Sequence, residues 1–262
     1  MQNIKISDLA ELVRSVRSIV HDERAIANRV AKGKFDYATQ VDLRVQQYLE
    51  RELKAMDESI QFMGEESGKT QHVDVSQPTW ILDPIDGTTN LIHHYPQCAV
   101  ALALVAEAEV QQGIVYNPYL DQMFTAERGN GAYCDGERIR VSDISELEES
   151  LVSVGTSPYM KQEAQHFFTV MARLFEQCQD IRRCGSAALD MIYVACGVTE
   201  GYYEPLLQPW DYAAAMLIVE EAGGKVSTCM GERIPVGFPS SCLATNGRMH
   251  EAILAHTKEL KV

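Results

Sequence analysis

Apolar residues Ile6, Leu9, Leu12, Val13, Val16, Ile19 and Val20 recur at helical spacing, which gathers them on one face and predicts an amphipathic helix at the start of the chain. Asp8 and Glu11 are read as a capping pair at its beginning. A polar turn around Lys32-Gly33-Lys34 separates it from a second helix that begins near Asp42 and carries Val45, Tyr48, Leu49, Leu53 and Met56. The pattern then shortens. Residues 60–63, 80–82, 99–105, 113–116 and 123–126 are brief apolar or β-branched runs divided by Gly, Pro and Asn, as antiparallel strands are.

From Leu151 the pattern alternates between short strand-like and longer helix-like runs. Strands are predicted at 151–154, near Ile181, at 201–203, near Val226 and at 242–245. Helices are predicted at about 163–177, from Ala187, at 211–222 and after Met249. Alternation of this kind predicts a mixed α/β fold in layers. No repeat or low-complexity tract interrupts it. The acidic stretch Ser142–Ser150 is read as a loop between an N-terminal half of about 1–145 and a C-terminal half of about 150–262, within one catalytic unit over 1–262.

Composition narrows the functional classes. The 262 residues include 23 Lys+Arg against 37 Asp+Glu, a formal charge of −14, which argues against a broad phosphate-binding face for nucleic acid. No apolar run approaches the roughly 20 residues that span a bilayer, and the first residues, Met1-Gln-Asn-Ile-Lys, lack a signal pattern. The 7 cysteines are scattered with no C-x-x-C pair, which fits free thiols in a reducing cytosol. The histidines show no zinc-site spacing, His93 and His94 being adjacent. The chain therefore reads as a cytoplasmic protein without nucleic-acid or membrane partners.

The chemistry is concentrated in acids at strand ends. Trp80-Ile-Leu-Asp83-Pro84-Ile85-Asp86-Gly87-Thr88-Thr89-Asn90 runs an apolar strand into an aspartate, is read as stopping it at proline, and adds a second aspartate three residues on. Carboxylates gathered at the edge of a core repel each other unless a cation compensates them, and oxygen donors select Mg²⁺, Mn²⁺ or Ca²⁺ over zinc; a polar turn is the plainer alternative. Phe62-Met-Gly64-Glu65-Glu66-Ser67-Gly68 repeats the arrangement. Its continuation into Lys69-Thr70 resembles a phosphate-binding P-loop but has three residues between the glycines instead of four, which excludes an ATPase reading. Pro209-Trp210-Asp211-Tyr212-Ala213-Ala214-Ala215 places an acid at a helix start, where it could be a simple N-cap. Gly185-Ser186-Ala187-Ala188 opens another helix with small residues, which leaves its N–H groups open to an anion or serves close helix packing.

G-E-E-S, then W-x-x-D-P-x-D-G-T-T-N, then W-D-x-A-A, in this order over nearly the whole chain, resembles the inositol monophosphatase family, the magnesium-dependent, lithium-inhibited phosphatases of the sugar-phosphatase fold. The resemblance implies an αβαβα layered sandwich. It also implies two or three Mg²⁺, with Mn²⁺ as an alternative, held by Glu65, Asp83, Asp86, Asp211 and the carbonyl of Ile85. Ala215 stands where the family pattern has glycine, which implies changed packing a turn into the helix. By the family's pattern, Thr88, bonded to Asp42, and Glu65 activate a water, while the amides of Gly87 and Thr88 hold phosphate. From the sequence alone Asp42 also reads as a helix N-cap. Gly185, Ser186, Ala187 and Glu204, the last seven residues before Asp211, match the substrate side together with Asp86 and Asp211. The implied substrate is inositol 1-phosphate, with histidinol phosphate, fructose 1,6-bisphosphate or a nucleotide 3′-phosphate as alternatives. The resemblance further implies a homodimer and, as a different class of function, a regulatory protein bound to the transcription machinery.

Overall fold

The computed structural model describes residues 4–33, 37–67 and 73–258, the side chains of Pro158 and Tyr159 excepted. Lys34 of the predicted polar turn, the Gly68-Lys69-Thr70 end of the P-loop-like stretch and the first three residues lie outside them. The N-terminal apolar stripe is helical but broken, into α1 (Ile6–Arg14), α2 (Arg17–Val20) and α3 (Glu23–Ala27). The Ser15 hydroxyl, donating to the Leu12 carbonyl at 2.6 Å, competes with the helix ladder and ends α1. Asp22 caps α3 by accepting from the amides of Arg24 and Ala25. The expected Asp8–Glu11 cap does not form: the cap position is Lys5, without a side-chain bond, and Asp8 lies in the first turn, where its charge favours the helix dipole.

A hairpin the pattern does not predict follows, β1 (Arg29–Ala31) against β2 (Tyr37–Thr39), and leads into α4 (Gln40–Met56). The first large sheet is made of β3 (Gln61–Gly64), β4 (Thr79–Asp86), β5 (Ala99–Ala106), β6 (Glu109–Asn117), β7 (Gln122–Glu127), β8 (Gly131–Cys134) and β9 (Glu137–Arg138), in that spatial order. Only β3 and β4 pair in parallel; the rest are antiparallel. The short helix α5 (Thr88–Ile92) follows β4. The second sheet has the order β11 (Asp180–Arg182), β10 (Leu151–Val154), β12 (Gly201–Leu207), β14 (Ser240–Thr245), β13 (Lys225–Ser227). Helices α6 (Ala164–Phe175), α7 (Ala187–Ala195), α8 (Pro209–Glu221) and α9 (His250–Thr257) complete the chain.

Strand alternation sorts these elements into layers. Trp80 and Leu82 of β4 bury one face of the first sheet against α1 and α4. Ile81, between them, faces the opposite way with Ala101 and Ala103, onto α7 and α8, which also cover Tyr202 and Ala244 of the second sheet. The far face of that sheet, Val152, Tyr203 and Leu243, packs on α6 and α9 through Phe167, Leu174 and Ile253. The result is the αβαβα order, with α7 and α8 apolar nearly all round because both sides are covered.

Two strands outrun their predicted ends, each through a proline. β4 does not stop at Pro84. Asp83 pairs with Ala101 and Asp86 with Ala99, so three steps on β4 match two on β5 and one residue is extra. This is a β-bulge, where proline forfeits no ladder bond. The extra residue also changes direction: Asp83 and Asp86, an odd number apart, would face opposite sides of a regular strand, and the bulge turns both toward the layer between the sheets. β12 repeats the device at Pro205, with Glu204 paired to Cys242 and Leu207 to Ser240.

Candidate active site

The bulge in β4, the end of β3 and the starts of α7 and α8 converge on a cavity of about 550 Å³. Gly64 pairs in parallel with Leu82, so Glu65, the next residue, emerges beside Asp83, close enough for its charge to raise the Asp83 carboxyl. Asp86 reaches across to α7, where its Oδ2 accepts from the Ser186 hydroxyl at 2.5 Å and the Ala188 amide at 2.7 Å. The first turn of α7 is thus not open to an outside anion, as its small residues suggested; the chain's own Asp86 takes that place. Asp211 lies at the third position of α8, not at its cap, and accepts from the amide of Gln208, the cap residue, at 2.8 Å. Ala215, one turn further, is buried between the sheets.

Thr88 and Asp42, the pair named by the resemblance, are in contact. The Thr88 hydroxyl donates to Asp42 Oδ1 at 2.8 Å and lies 3.1 Å from the Ile85 carbonyl. Asp42 Oδ2 accepts from both the amide and the hydroxyl of Thr39, closing a capping box at the start of α4. One carboxylate therefore caps a helix with one oxygen and holds Thr88 with the other. Thr88 follows Gly87, whose φ of +93° disfavours a side chain and where a Cβ would sit tightly, 3.0 Å from the carbonyl oxygen of Gln97 and 3.3 Å from that of Gly185. Gly185 is left-handed as well, and Asn90 ties the two loops by donating to the carbonyls of Gln97 and Cys184. Gly87, Thr88, Gly185, Ser186, Ala187 and Glu204 all line the cavity, so the structure brings the predicted residues to one place.

Electrostatics mark the cavity as short of positive charge. Burial, then the charges of Glu65, Asp86 and Asp211, holds the Asp83 carboxyl well above its ordinary range. Burial likewise lifts Asp211, with Asp86 and Glu65 adding to it. Asp86 is raised by burial to about 6 against the donors of α7, and Glu65 by burial to about 7 despite Lys32. As described, no three acids, histidines or cysteines form a closed metal-holding group among the described residues; Lys32 of the hairpin lies on Glu65 at 2.9 Å and also pairs with Glu66. The donor set nevertheless fits a hard divalent cation. Asp83, Asp86 and Asp211 each hold backbone with one carboxylate oxygen, which leaves the other as a donor, and mutually repelling buried acids are relieved by such an ion.

Several residues in or beside the cavity escaped the sequence reading. Lys32 was seen only as part of a turn. Arg183, whose Nε donates to Thr156 Oγ1 at 3.1 Å, carried no motif. Asp190 is buried on the cavity side of α7 and pushed by burial to about 7. Its signal was available: it is the one acid in the apolar run 187–196.

Comparison with known proteins agrees with this geometry. A sequence model described as the inositol monophosphatase family matches residues 2–261. An inositol-1-monophosphatase of Mesorhizobium japonicum is 34% identical over 249 residues, covering 94% of this chain and 93% of the relative. The Nus factor SuhB of Escherichia coli K12 is 36% identical over 228 residues, covering 87% of this chain and 85% of its own. The solved structure of a Thermotoga maritima IMPase superposes with a TM-score of 0.87 at 31% identity, over 97% of both chains.

Proposed function

This chain belongs to the inositol monophosphatase family, and from that premise we propose that it is a metal-dependent phosphomonoesterase hydrolysing a small polyol phosphate, with myo-inositol 1-phosphate as the leading substrate. Membership of the family supports a phosphatase. The observation that carries the finer reading is the meeting in one cavity of Glu65, Asp83, Asp86 and Asp211, drawn from the turn after β3, from β4 and from α8, with Thr88, which Asp42 holds from behind.

In this reading the four acids and the Ile85 carbonyl hold Mg²⁺, which when bound supplies charge to the phosphate oxygens and acidity to a water. The chain's own groups do the rest. An ionised Asp42 draws the Thr88 proton toward itself, so the Thr88 oxygen presents lone pairs to the cavity and orients the attacking water by accepting its proton in a hydrogen bond. Glu65, in the turn after β3 and on the wall of the same cavity, would take up the proton the water gives up. The Gly87 and Thr88 amides at the start of α5 hold phosphate. Glu204 on the opposite sheet accepts from the alcohol portion. A homodimer in the cytoplasm, with lithium inhibition, completes the reading; among the described residues no helix is long and apolar enough to cross a membrane.

Phosphate release from inositol 1-phosphate and histidinol phosphate, side by side with Mg²⁺ and with chelator, tests it. Chelator-sensitive release favouring the inositol ester is expected. Preference for histidinol phosphate moves the substrate assignment, and release of neither overturns the proposal. A second reading has its own support, because relatives of 36% identity carry the name Nus factor SuhB: a regulatory protein bound to the transcription machinery. Asp83→Asn separates the two, since capture of that machinery survives it and hydrolysis does not.

A further inference from the structure

Glu204 is 7% exposed, and its carboxylate is fixed by the chain before any substrate arrives. Oε1 accepts from the Ser157 amide at 2.6 Å, with the Ser157 hydroxyl at 3.2 Å. Oε2 accepts from the Tyr202 hydroxyl at 2.5 Å. Ser157 also binds the strand itself: Leu206 N donates to its Oγ at 3.0 Å, and Leu206 O lies 3.0 Å from the same hydroxyl. The turn that carries Ser157 is shaped to the acid. A Cβ at Gly155 would meet Glu204 Oε2 at 1.9 Å, so only glycine lets the backbone pass there. Ser157 itself takes φ 35°, ψ 81°, a left-handed backbone that a residue with a side chain adopts at a cost and keeps only when its surroundings enforce it. The Tyr202 hydroxyl and Ser157 are buried, and neither belongs to the acid cluster.

We propose that Gly155, Ser157 and Tyr202 form a clip that holds Glu204 as a fixed hydrogen-bond acceptor, making Ser157 and Tyr202 positioning residues for the selection of neutral hydroxyl groups on the alcohol side of the phosphate ester. The proposal rests on the phosphatase reading above. Its physical basis is that the Ser157 amide and the Tyr202 hydroxyl each already donate to one oxygen of the carboxylate, and Arg183 lines the same cavity. A hydroxyl needs only an unused lone pair in a fixed direction.

The test compares wild type with Ser157→Gly, Ser157→Ala and Tyr202→Phe on myo-inositol 1-phosphate and on 4-nitrophenyl phosphate, which has no hydroxyls to read, both with Mg²⁺. Losing a donor to a buried carboxylate should raise KM for the inositol ester about five- to tenfold, leave its kcat within about twofold, and leave both constants for the aryl ester within about twofold. Ser157→Gly suits the left-handed backbone, and Tyr202→Phe acts from the other oxygen, so the split is readable even if Ser157→Ala folds poorly. Equal changes for both esters, or no change for the inositol ester in Ser157→Gly and Tyr202→Phe, overturn the clip. Failure of the wild type to hydrolyse either ester overturns the phosphatase reading and the clip with it, and is a distinct outcome.

Discussion

Asp42 has two jobs that can be taken apart by substitution. Its Oδ2 accepts from the Thr39 amide and hydroxyl and its Oδ1 from Thr88 at 2.8 Å. Asp42→Asn keeps the shape but swaps one acceptor oxygen for an NH₂ donor. With the donor toward Thr88, that hydroxyl must turn round and accept, and its lone pairs are lost to the attacking water. A hydrogen bond to a charged acceptor contributes about 1.5–3 kcal/mol, which in the transition state is about 10- to 150-fold in rate. Adding misplacement of the water brings the expected loss of kcat to about 10²–10³. Thr88→Ala should fall in the same range. Thr39→Ala is the control: it removes one Oδ2 donor and a helix cap, costing about 1–2 kcal/mol of stability, but leaves the Thr88 bond in place, so kcat should stay within about threefold. Saturating kcat from phosphate release, with urea midpoints for the same variants, measures both quantities. Asp42→Asn with wild-type kcat, or Thr39→Ala losing as much kcat as Thr88→Ala, would refute the division of labour.

Three further expectations follow from the same structure. Ser186→Ala removes the hydroxyl that holds Asp86 Oδ2 at 2.5 Å and caps α7; it should cost about 1–2 kcal/mol in denaturant titration and raise the Mg²⁺ concentration needed for half-maximal activity several-fold, and an unchanged Mg²⁺ requirement would count against Asp86 as a ligand. His250, buried between Ser227 and Thr245, has its pKa lowered by burial, and then by Lys225, to about 4. The unfolded chain therefore takes up the extra proton between about 6.5 and 4, and stability falls as pH drops through that window, by about 2 kcal/mol after allowance for partial screening; His250→Gln should remove that part of the slope in pH-dependent denaturation, and an identical slope in the variant would exclude it. All 7 cysteines are free, and burial raises each thiol, so a thiol reagent at pH 8 should react slowly with the native protein and reach 7 equivalents on unfolding; rapid native reaction of several thiols would contradict the burial.

Much of this was legible in sequence because helices α4, α7 and α8 and the inner strands bury continuous faces, and burial imprints periodicity. What stayed hidden has physical causes. The β1–β2 hairpin is mostly exposed and so carries no apolar alternation, which is why Lys32 was not connected with Glu65. Pro84 reads as a strand end, and the strand from Gly201 is read only to Tyr203, because a one-dimensional pattern does not distinguish a stop from a bulge. Only the partner strand's register reveals the extra residue, and with it the reason Asp83 and Asp86 face the same way. The N-terminal stripe read as one helix because periodicity continues through Ser15, whose competing hydroxyl ends α1 without changing the pattern. The acids themselves were found by motif, whereas the clip on Glu204 joins residues 47 positions apart and leaves no local signature.

Binding of divalent cations by Glu65, Asp83, Asp86 and Asp211 together, as proposed above, can be measured without turnover. Calorimetric titration of chelator-treated protein with Mn²⁺, repeated on Asp83→Asn and Asp211→Asn with folding checked by circular dichroism, tests it directly. Saturable binding to the wild type, weakened by at least about tenfold in each folded variant, is the predicted result. Equal affinity in wild type and both variants, or no saturable binding at all, would contradict it.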